Sequence, residues 1–280
     1  MGRKGNSGFA NPDVRFGNDS GGSYTGSLGF TQHYLERLDG DLAPDPGLEP
    51  ADGFTVWVKA SDGITLNGTS AVSGWADQST NNIDFSQSTT SAQPTFTSAN
   101  TILNNQPSVD FFNGDYMETA DNSVMNTSTG FCIYIVAKLN SFPSTFSGFF
   151  GRTNGTSWST GWFSFYYASK IRFCIDYWNT STKRVELDPP SVSNVNIYKF
   201  HYDRTTITGQ IIGPDADLDT QAQTTSDINA TGNGIELNRL GGSAYDGSWD
   251  FGEFLFYNTP LNAAGQLKTE NYLKDKYGIT

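Results

Sequence analysis

The sequence predicts an all-β protein, a two-sheet antiparallel jelly-roll sandwich with a short C-terminal helix and an irregular N-terminal arm. Three observations predict this class. From residue 54 onward, short runs alternate apolar and polar residues, which is the period of a half-buried strand. Asn-Gly, Gly-Gly and Pro-Pro pairs separate these runs at intervals of roughly 8–12 residues, as in sandwiches and barrels. Aromatic residues make up 14% of the 280 residues and charged residues only 16%, which argues against disorder and coiled coil.

Residues 1–50 differ in composition from the rest and are predicted to form an arm and linker. They are rich in Gly, Asn, Ser and Asp and contain one short helix candidate over 31–38, with Thr31 as its cap. The stretch 43–50 contains three prolines and a glycine, which prevent regular pairing. The predicted boundaries are therefore 1–50 for the arm and 51–280 for the jelly-roll domain.

Several runs after residue 50 are predicted as β-strands. In the first, Phe54, Val56 and Val58 occupy alternate positions, which predicts one buried face. In the run 131–136 every position is apolar or a cysteine, so both faces of that strand are expected to be covered. The predicted strands are 54–59, 131–136, 161–168, 170–178, 196–202, 206–212, 234–240 and 249–257.

A helix is predicted at the end of the chain, over 263–276. Asn262 is suited to cap its N-terminus, and Gly278 stands where a left-handed C-terminal cap belongs. The residues expected to dock the helix on the sandwich are Ala263 and Leu267, with Tyr272 and Leu273 nearby.

Charge and hydropathy exclude two classes of partner. The chain carries 17 Lys and Arg against 29 Asp and Glu, a net charge of −12. A chain this acidic is repelled by phosphate backbones, so no nucleic-acid partner is expected. The longest apolar run, over 131–137, is far shorter than the ~20 residues that cross a bilayer, so no membrane insertion is expected.

The two cysteines and the N-terminus bear on the compartment. Cys132 and Cys174 are predicted to be buried thiols, with a disulfide between them as the open alternative. The first residues contain no apolar stretch like that of a signal peptide, so a secretory route is not expected.

Short motifs at both ends of the strand-rich region are similar to those of one known superfamily. They are Val-Trp-Val-Lys-Ala-Ser-Asp-Gly-Ile at 56–64, Gly-Trp-Ala-Asp-Gln-Ser at 74–79, Gln-Pro-Ser-Val-Asp-Phe at 106–111 with Asn-Gly-Asp-Tyr at 113–116, and the segments 252–258 and 270–279. Together they resemble the concanavalin A-like lectin/glucanase superfamily, in its laminin-G-like branch, over residues 54–279. The resemblance implies a jelly roll and leaves activity open, because members of this branch occur in secreted sugar-active enzymes, adhesins and bacteriophage virion proteins.

No catalytic residues are predicted. Glycoside hydrolysis needs two carboxylates about 5–10 Å apart, and the enzymes of the superfamily carry a Glu-x-Asp-x-x-Glu string that this sequence lacks. Asp250 and Glu253 come closest, but in a regular strand their odd spacing places them on opposite faces. Glu253 is expected to be a structural, hydrogen-bonded carboxylate. Neither His33 nor His201 accompanies a nucleophile motif.

One metal-binding segment is considered. Asp215, Asp217 and Asp219 alternate along the chain, and carboxylates are the ligands that Ca²⁺ prefers. The match to a calcium loop fails at its sixth position, Thr220, and at its twelfth, Ser226. A solvated acidic turn is therefore the favoured interpretation, calcium remains an alternative, and no other cofactor is expected.

Sugar binding is the function that the resembled fold favours. A sugar site combines an aromatic face with nearby groups that bond hydroxyls. The candidate aromatic residues are Trp158 and Trp162, around Asn154-Gly155, Trp178, beside Asn179, and Tyr245, with Asp246.

The leading functional hypothesis is a non-enzymatic structural protein of a bacteriophage-like virion. A lectin-like domain would be displayed on a capsid, fibre or tail, in a homo-oligomeric assembly, and residues 1–50 would bind other virion proteins. The alternative is a secreted, extracellular carbohydrate-binding module or adhesin that recognises cell-surface or environmental glycans. A glycoside hydrolase is the third hypothesis.

Overall fold

The computed structural model describes residues 49–280 except for 113, 142–145, 155–157, 177–179, 224–227 and 243–246. The described residues belong to one compact unit. The predicted arm and its helix candidate over 31–38 lie almost wholly outside the described residues and stay predictions. Within the described part of the chain, no helix has the length and apolar character needed to cross a membrane.

The described residues form seventeen strands and one α-helix, besides short 3-10 turns. The strands are β1 (Val56–Lys59), β2 (Ile64–Asn67), β3 (Ala71–Trp75), β4 (Phe85–Ser86), β5 (Thr95–Asn100), β6 (Gln106–Phe111), β7 (Met117–Thr119), β8 (Phe131–Leu139), β9 (Ser147–Thr153), β10 (Gly161–Tyr167), β11 (Lys170–Ile175), β12 (Arg184–Leu187), β13 (Val195–Tyr202), β14 (Thr206–Ile212), β15 (Asp217–Ala222), β16 (Glu236–Leu237) and β17 (Trp249–Tyr257). The helix α1 spans Ala263–Tyr277.

The strands form two antiparallel layers. In the first layer, β15, β14, β13, β8 and β17 are consecutive neighbours, and the far edge of β17 pairs with β1 and with β6, which continues to β5. In the second layer the order is β2, β3, β4, β7, β16, β9, β10, β11 and β12. A bridge from Ala71 to Thr95 joins the layers. The predicted all-β antiparallel sandwich with a C-terminal helix is confirmed.

Aromatic side chains from the two layers form the core between them. Phe149 of β9 stacks on Trp249 of β17 with ring centroids 4.0 Å apart, and Phe85 of β4 meets Phe254 of β17 edge-on at 5.9 Å. All four rings are fully buried. Because burying one such side chain is worth roughly 1.5–3 kcal/mol, these pairs hold the layers together.

Helix α1 covers the outer face of the first layer. Asn262 Oδ1 accepts a hydrogen bond from the Gly265 amide (2.8 Å), and Gly278 takes a left-handed conformation (φ 64°), so both predicted caps are confirmed. Tyr272 and Leu273 are buried, as expected, but Ala263 is exposed and Leu267 is 58% exposed. The prediction that Ala263 and Leu267 dock the helix is wrong, because the helix packs through its C-terminal half.

The cysteines lie in different layers. Cys132 is in β8 and Cys174 in β11, and both are buried free thiols. The favoured prediction is confirmed and the disulfide alternative is not. Burial raises the pKa of the Cys132 thiol to about 12, so neither a reactive nor a metal-binding role is indicated for it.

Candidate functional site

A cleft of about 340 Å³ opens on the outer face of the second layer, where β7 and β16 pair. Its polar walls come from Glu118, Asp121, Glu236 and Arg239. Glycines line much of the remainder, namely Gly232, Gly234, Gly241 and Gly242. The cleft is therefore bounded by charged side chains and by backbone that a ligand can approach closely.

Strand period places the two glutamates of the cleft on one face. Met117 and Leu237 point into the core, so their neighbours Glu118 and Glu236 point outward. Glu118 and Glu236 are direct cross-strand partners. Like charges in such a pair are destabilising unless a counter-ion lies between them.

Arg239 provides that counter-ion. Its Nε donates to Glu236 Oε1 (3.0 Å) and its Nη2 to Glu118 Oε2 (2.8 Å). The guanidinium also lies over the Tyr116 ring, 3.4 Å from its centroid. Two carboxylates and an aromatic face thus fix the arginine in one orientation.

The far end of the cleft is held by a buried arginine. Arg152 is fully buried in β9. It donates to Asp121 Oδ1 (2.8 Å), Asn126 Oδ1 (2.8 Å) and the Asn233 carbonyl (3.0 Å). The arginine holds the pKa of Asp121 below its usual value. Asp121 Oδ2 in turn accepts the Gly232 amide (2.8 Å), which fixes the glycine-rich loop to the cleft wall.

Two glycines are required by the geometry of this wall. A Cβ on Gly234 would lie 1.8 Å from the Thr119 carbonyl oxygen, far inside van der Waals contact. Gly242 has φ +70°, a left-handed backbone conformation that residues other than glycine rarely adopt. Its amide donates to Glu236 Oε1 (3.0 Å), so the glycine positions that carboxylate.

The structure does not gather the predicted sugar-stacking residues in this cleft. Trp162 is fully buried and stacks on Phe256 with centroids 5.1 Å apart, so it has no face for a ligand and that prediction is wrong. Trp158 is 7% exposed and stacks on Phe146 at 4.9 Å, within an aromatic cluster on the outer face of the second layer. Trp178 and Tyr245 lie outside the described residues.

The three aspartates of the possible calcium site are engaged in hydrogen bonds. Asp217 Oδ2 accepts the Asp188 amide (2.7 Å) and Asp219 Oδ2 accepts the Glu186 amide (2.8 Å), so both join β15 to the β12 segment. Asp215 accepts from two asparagine side chains at 3.0 and 2.8 Å. Among the residues that the structure describes, no three His, Cys, Asp or Glu side chains are grouped to hold a metal. These contacts give the three aspartates a structural role.

A β-bulge changes the predicted placement of Asp250 and Glu253. Asp250 pairs with Lys138, but the register shifts before Glu253, which pairs with Val136. The extra residue, Gly252, places both carboxylates on the outer face of the first layer, so the prediction of opposite faces is wrong. The prediction of a structural Glu253 is confirmed, because it is fully buried and hydrogen-bonded.

The cleft residues themselves were not predicted from sequence. Glu118 and Asp121 come from one segment and Glu236 and Arg239 from another, and no spacing rule connects the two segments. The signal that could have found them is the glycine pattern at 232–234 and 241–242, which brackets Glu236 and Arg239.

Neither a family model nor a curated protein matches this chain. Several solved structures resemble it. The binding domain of Paraclostridial Mosquitocidal Protein 1 aligns at TM-score 0.54 and 12% identity, covering 79% of this chain and 52% of that one. The binding domain of Botulinum Neurotoxin DC in complex with SialylT aligns at TM-score 0.55 and 12% identity, covering 81% and 52%. Trypanosoma rangeli sialidase in complex with the inhibitor DANA aligns at TM-score 0.54 and 12% identity, covering 87% and 37%.

The chain shares a β-sandwich fold with these structures. It spans about half or less of the length of these structures, and at such low identity the likeness concerns the fold alone. Binding domains and a sialidase both occur among them, so the fold is shared by proteins of different activity.

Proposed function

We propose that this lectin-like domain binds glycans in the cleft and does not cleave them. The observation that carries the proposal is the cleft, about 340 Å³ in volume and walled by three carboxylates, an arginine and several glycines. Sugar hydroxyls both donate and accept hydrogen bonds, so they pair with carboxylates, guanidinium groups and backbone amides. The similarity in fold to a domain described in complex with SialylT supports the proposal.

Phe112 is an exposed aromatic residue whose backbone contacts the segment that carries Arg239. It is 53% exposed, and its carbonyl accepts a hydrogen bond (3.4 Å) from the side chain of Asn238, the residue before Arg239. We propose that a sugar bound against Arg239 extends toward the Phe112 ring. Phe112 takes the stacking role that the sequence had suggested for other aromatic residues.

The arrangement of carboxylates favours binding over hydrolysis. Glycosidases place an acid and a base on either side of the scissile bond, whereas Glu118 and Glu236 are adjacent and share Arg239. Glu253 is sealed in the interior. We expect no reducing-sugar release from oligosaccharides by the purified protein. Release that is abolished by Glu236→Gln would contradict a non-enzymatic role.

A glycan array on the full chain tests the site. Glycans bound by the wild-type protein should be lost in Arg239→Gln, which removes both bonds to the glutamates. Arg204→Gln is the matched control, because Arg204 lies in the turn between β13 and β14, outside the cleft lining. Equal binding by both variants would place the sugar elsewhere.

We further propose that the domain is displayed on a bacteriophage-like virion as a decoration, fibre or tail-associated protein. Residues 1–50 would bind other virion proteins within a homo-oligomeric assembly. The polar, proline-terminated composition of 1–50 supports this role, as does the resemblance to a branch that occurs in virion proteins. A particle assembled with chain lacking residues 1–50 should lose the domain, and retained attachment would favour the secreted-module alternative.

A further inference from the structure

The hydrogen-bonding groups of the cleft are unevenly used. Its donors are largely engaged, since Arg152 and the Gly232 and Gly242 amides bond to protein oxygens. Glu118 Oε1 and Glu236 Oε2 accept no hydrogen bond from any described residue. Glu236 lines the cleft, and its Oε2 is open to the cleft rather than sealed in the interior. A carboxylate oxygen that faces the cleft and that no protein donor uses is free to accept a hydrogen bond from a ligand.

The negative charge of the cleft also favours a ligand that donates hydrogen bonds. Three carboxylates, from Glu118, Asp121 and Glu236, line the cleft with one partly exposed arginine, Arg239. A second arginine, Arg152, lies fully buried behind the lining and bonds to Asp121. The whole chain adds a net charge of −12. An acidic sugar would meet like charge and few free donors, whereas an ammonium group would find free carboxylate oxygens.

We propose that the cleft selects amino sugars, glycans with free protonated amines, over N-acetylated and acidic glycans. This inference rests on the proposed sugar-binding function. The ammonium donates to Glu118 Oε1 and Glu236 Oε2, while ring hydroxyls bond to the remaining cleft groups. Because hydrogen bonds to charged groups contribute more than neutral ones, the free amine should improve affinity by about tenfold or more.

Calorimetric titration of the full-length protein tests the inference with three probes: a glucosamine tetramer, the N-acetylglucosamine tetramer and sialyllactose, at a pH that keeps the amines protonated. The expected order of affinity is glucosamine tetramer, then the N-acetylated tetramer, with sialyllactose weakest. Glu118→Gln should weaken the glucosamine tetramer about tenfold and change the N-acetylated tetramer less than about threefold. Glu118 is nearly half exposed, so this variant should fold.

Asp188→Asn is the matched control, because it removes one exposed carboxylate that lies outside the cleft lining. If it weakens the glucosamine tetramer as much as Glu118→Gln does, attraction to overall charge explains the binding and the inference is overturned. Equal or tighter binding of sialyllactose overturns it too. Binding of the N-acetylated tetramer with no gain from the free amine overturns only the amino-sugar inference. Failure of all three probes, together with an empty glycan array, overturns sugar binding as well.

Discussion

Replacing the buried Glu253 by glutamine should destabilise the protein by about 3 kcal/mol. The Glu253 carboxylate accepts hydrogen bonds from Trp57 Nε1 (2.5 Å), Tyr272 Oη (2.9 Å), Tyr277 Oη (3.1 Å) and Lys276 Nζ (2.7 Å). It thereby joins strand β1 and helix α1 to strand β17. Its burial and these four donors make it the anchor of the helix.

The expected loss of stability follows from the hydrogen-bond donors that glutamine leaves without an acceptor. Glutamine keeps one acceptor oxygen and turns the other into an NH₂ group, which faces donors such as Lys276 and Tyr277. Removing one partner of a buried ion pair costs about 3–5 kcal/mol. The Lys276 side chain is 16% exposed and can turn toward water, which places the expected loss at the lower end, about 3 kcal/mol.

Urea unfolding followed by tryptophan fluorescence measures this loss, and a thermal scan should show a melting temperature lower by roughly 6–12 °C. Asp188→Asn is the control, since its ion pair with Lys170 is exposed and its loss should leave stability almost unchanged. If the free energy of unfolding of Glu253→Gln lies within about 1 kcal/mol of the wild-type value, the carboxylate does not anchor the helix.

Three further predictions, the last with its own control variant, test other parts of the structure. Asp121→Asn should lower the free energy of unfolding by about 1–2 kcal/mol at neutral pH, because it leaves Arg152 buried without its carboxylate. Arg152 lowers the folded-state pKa of Asp121, so the wild type should lose this advantage as the pH falls below about 4. The free energies of unfolding of the two proteins in urea should therefore converge in acid. Burial raises the folded-state pKa of Asp110, so the stability of the wild type should fall as the pH rises from about 3 to about 7. The stability of Asp110→Asn relative to wild type should therefore increase over the same rise in pH. A difference in stability that stays constant with pH would contradict the raised pKa of Asp110. Gly234→Ala should destabilise by about 1–3 kcal/mol through contact with Thr119, whereas Gly265→Ala in helix α1, where a Cβ has room at 3.4 Å, should be neutral or stabilising in the same thermal scan.

The sequence predicted the layers because their signals are local. Period-two alternation in 54–59 and the fully apolar run 131–136 mark the strands, and Asn262 and Gly278 mark the ends of the helix. Short or polar strands such as β7 and β15 carry too few apolar residues to be recognised alone. Their pairing is decided by tertiary contacts, which local patterns do not contain.

The errors have the same origin. A bulge at Gly252 is invisible in the spacing of Asp250 and Glu253, so a regular strand placed them on opposite faces. Trp162 follows Gly161 and is predicted to be a ligand-binding residue, yet its register points it into the core. The cleft was missed because Glu118 and Glu236 are far apart in sequence and meet only through the pairing of β7 with β16.

The side chains of the cleft are held in place by the buried core beneath them, which determines how the cleft should distinguish between glycans. Because alternate residues of a strand point to opposite faces, packing of Met117 and Leu237 in the core also fixes Glu118 and Glu236 outside. Arg152 secures the other wall from a fully buried position. Side chains held in this way lose little conformational freedom when a ligand binds. Differences in affinity between glycans should therefore reflect their charge and hydrogen-bonding groups rather than any rearrangement of the protein, which is why one substitution at Glu118 is a sensitive test of the site.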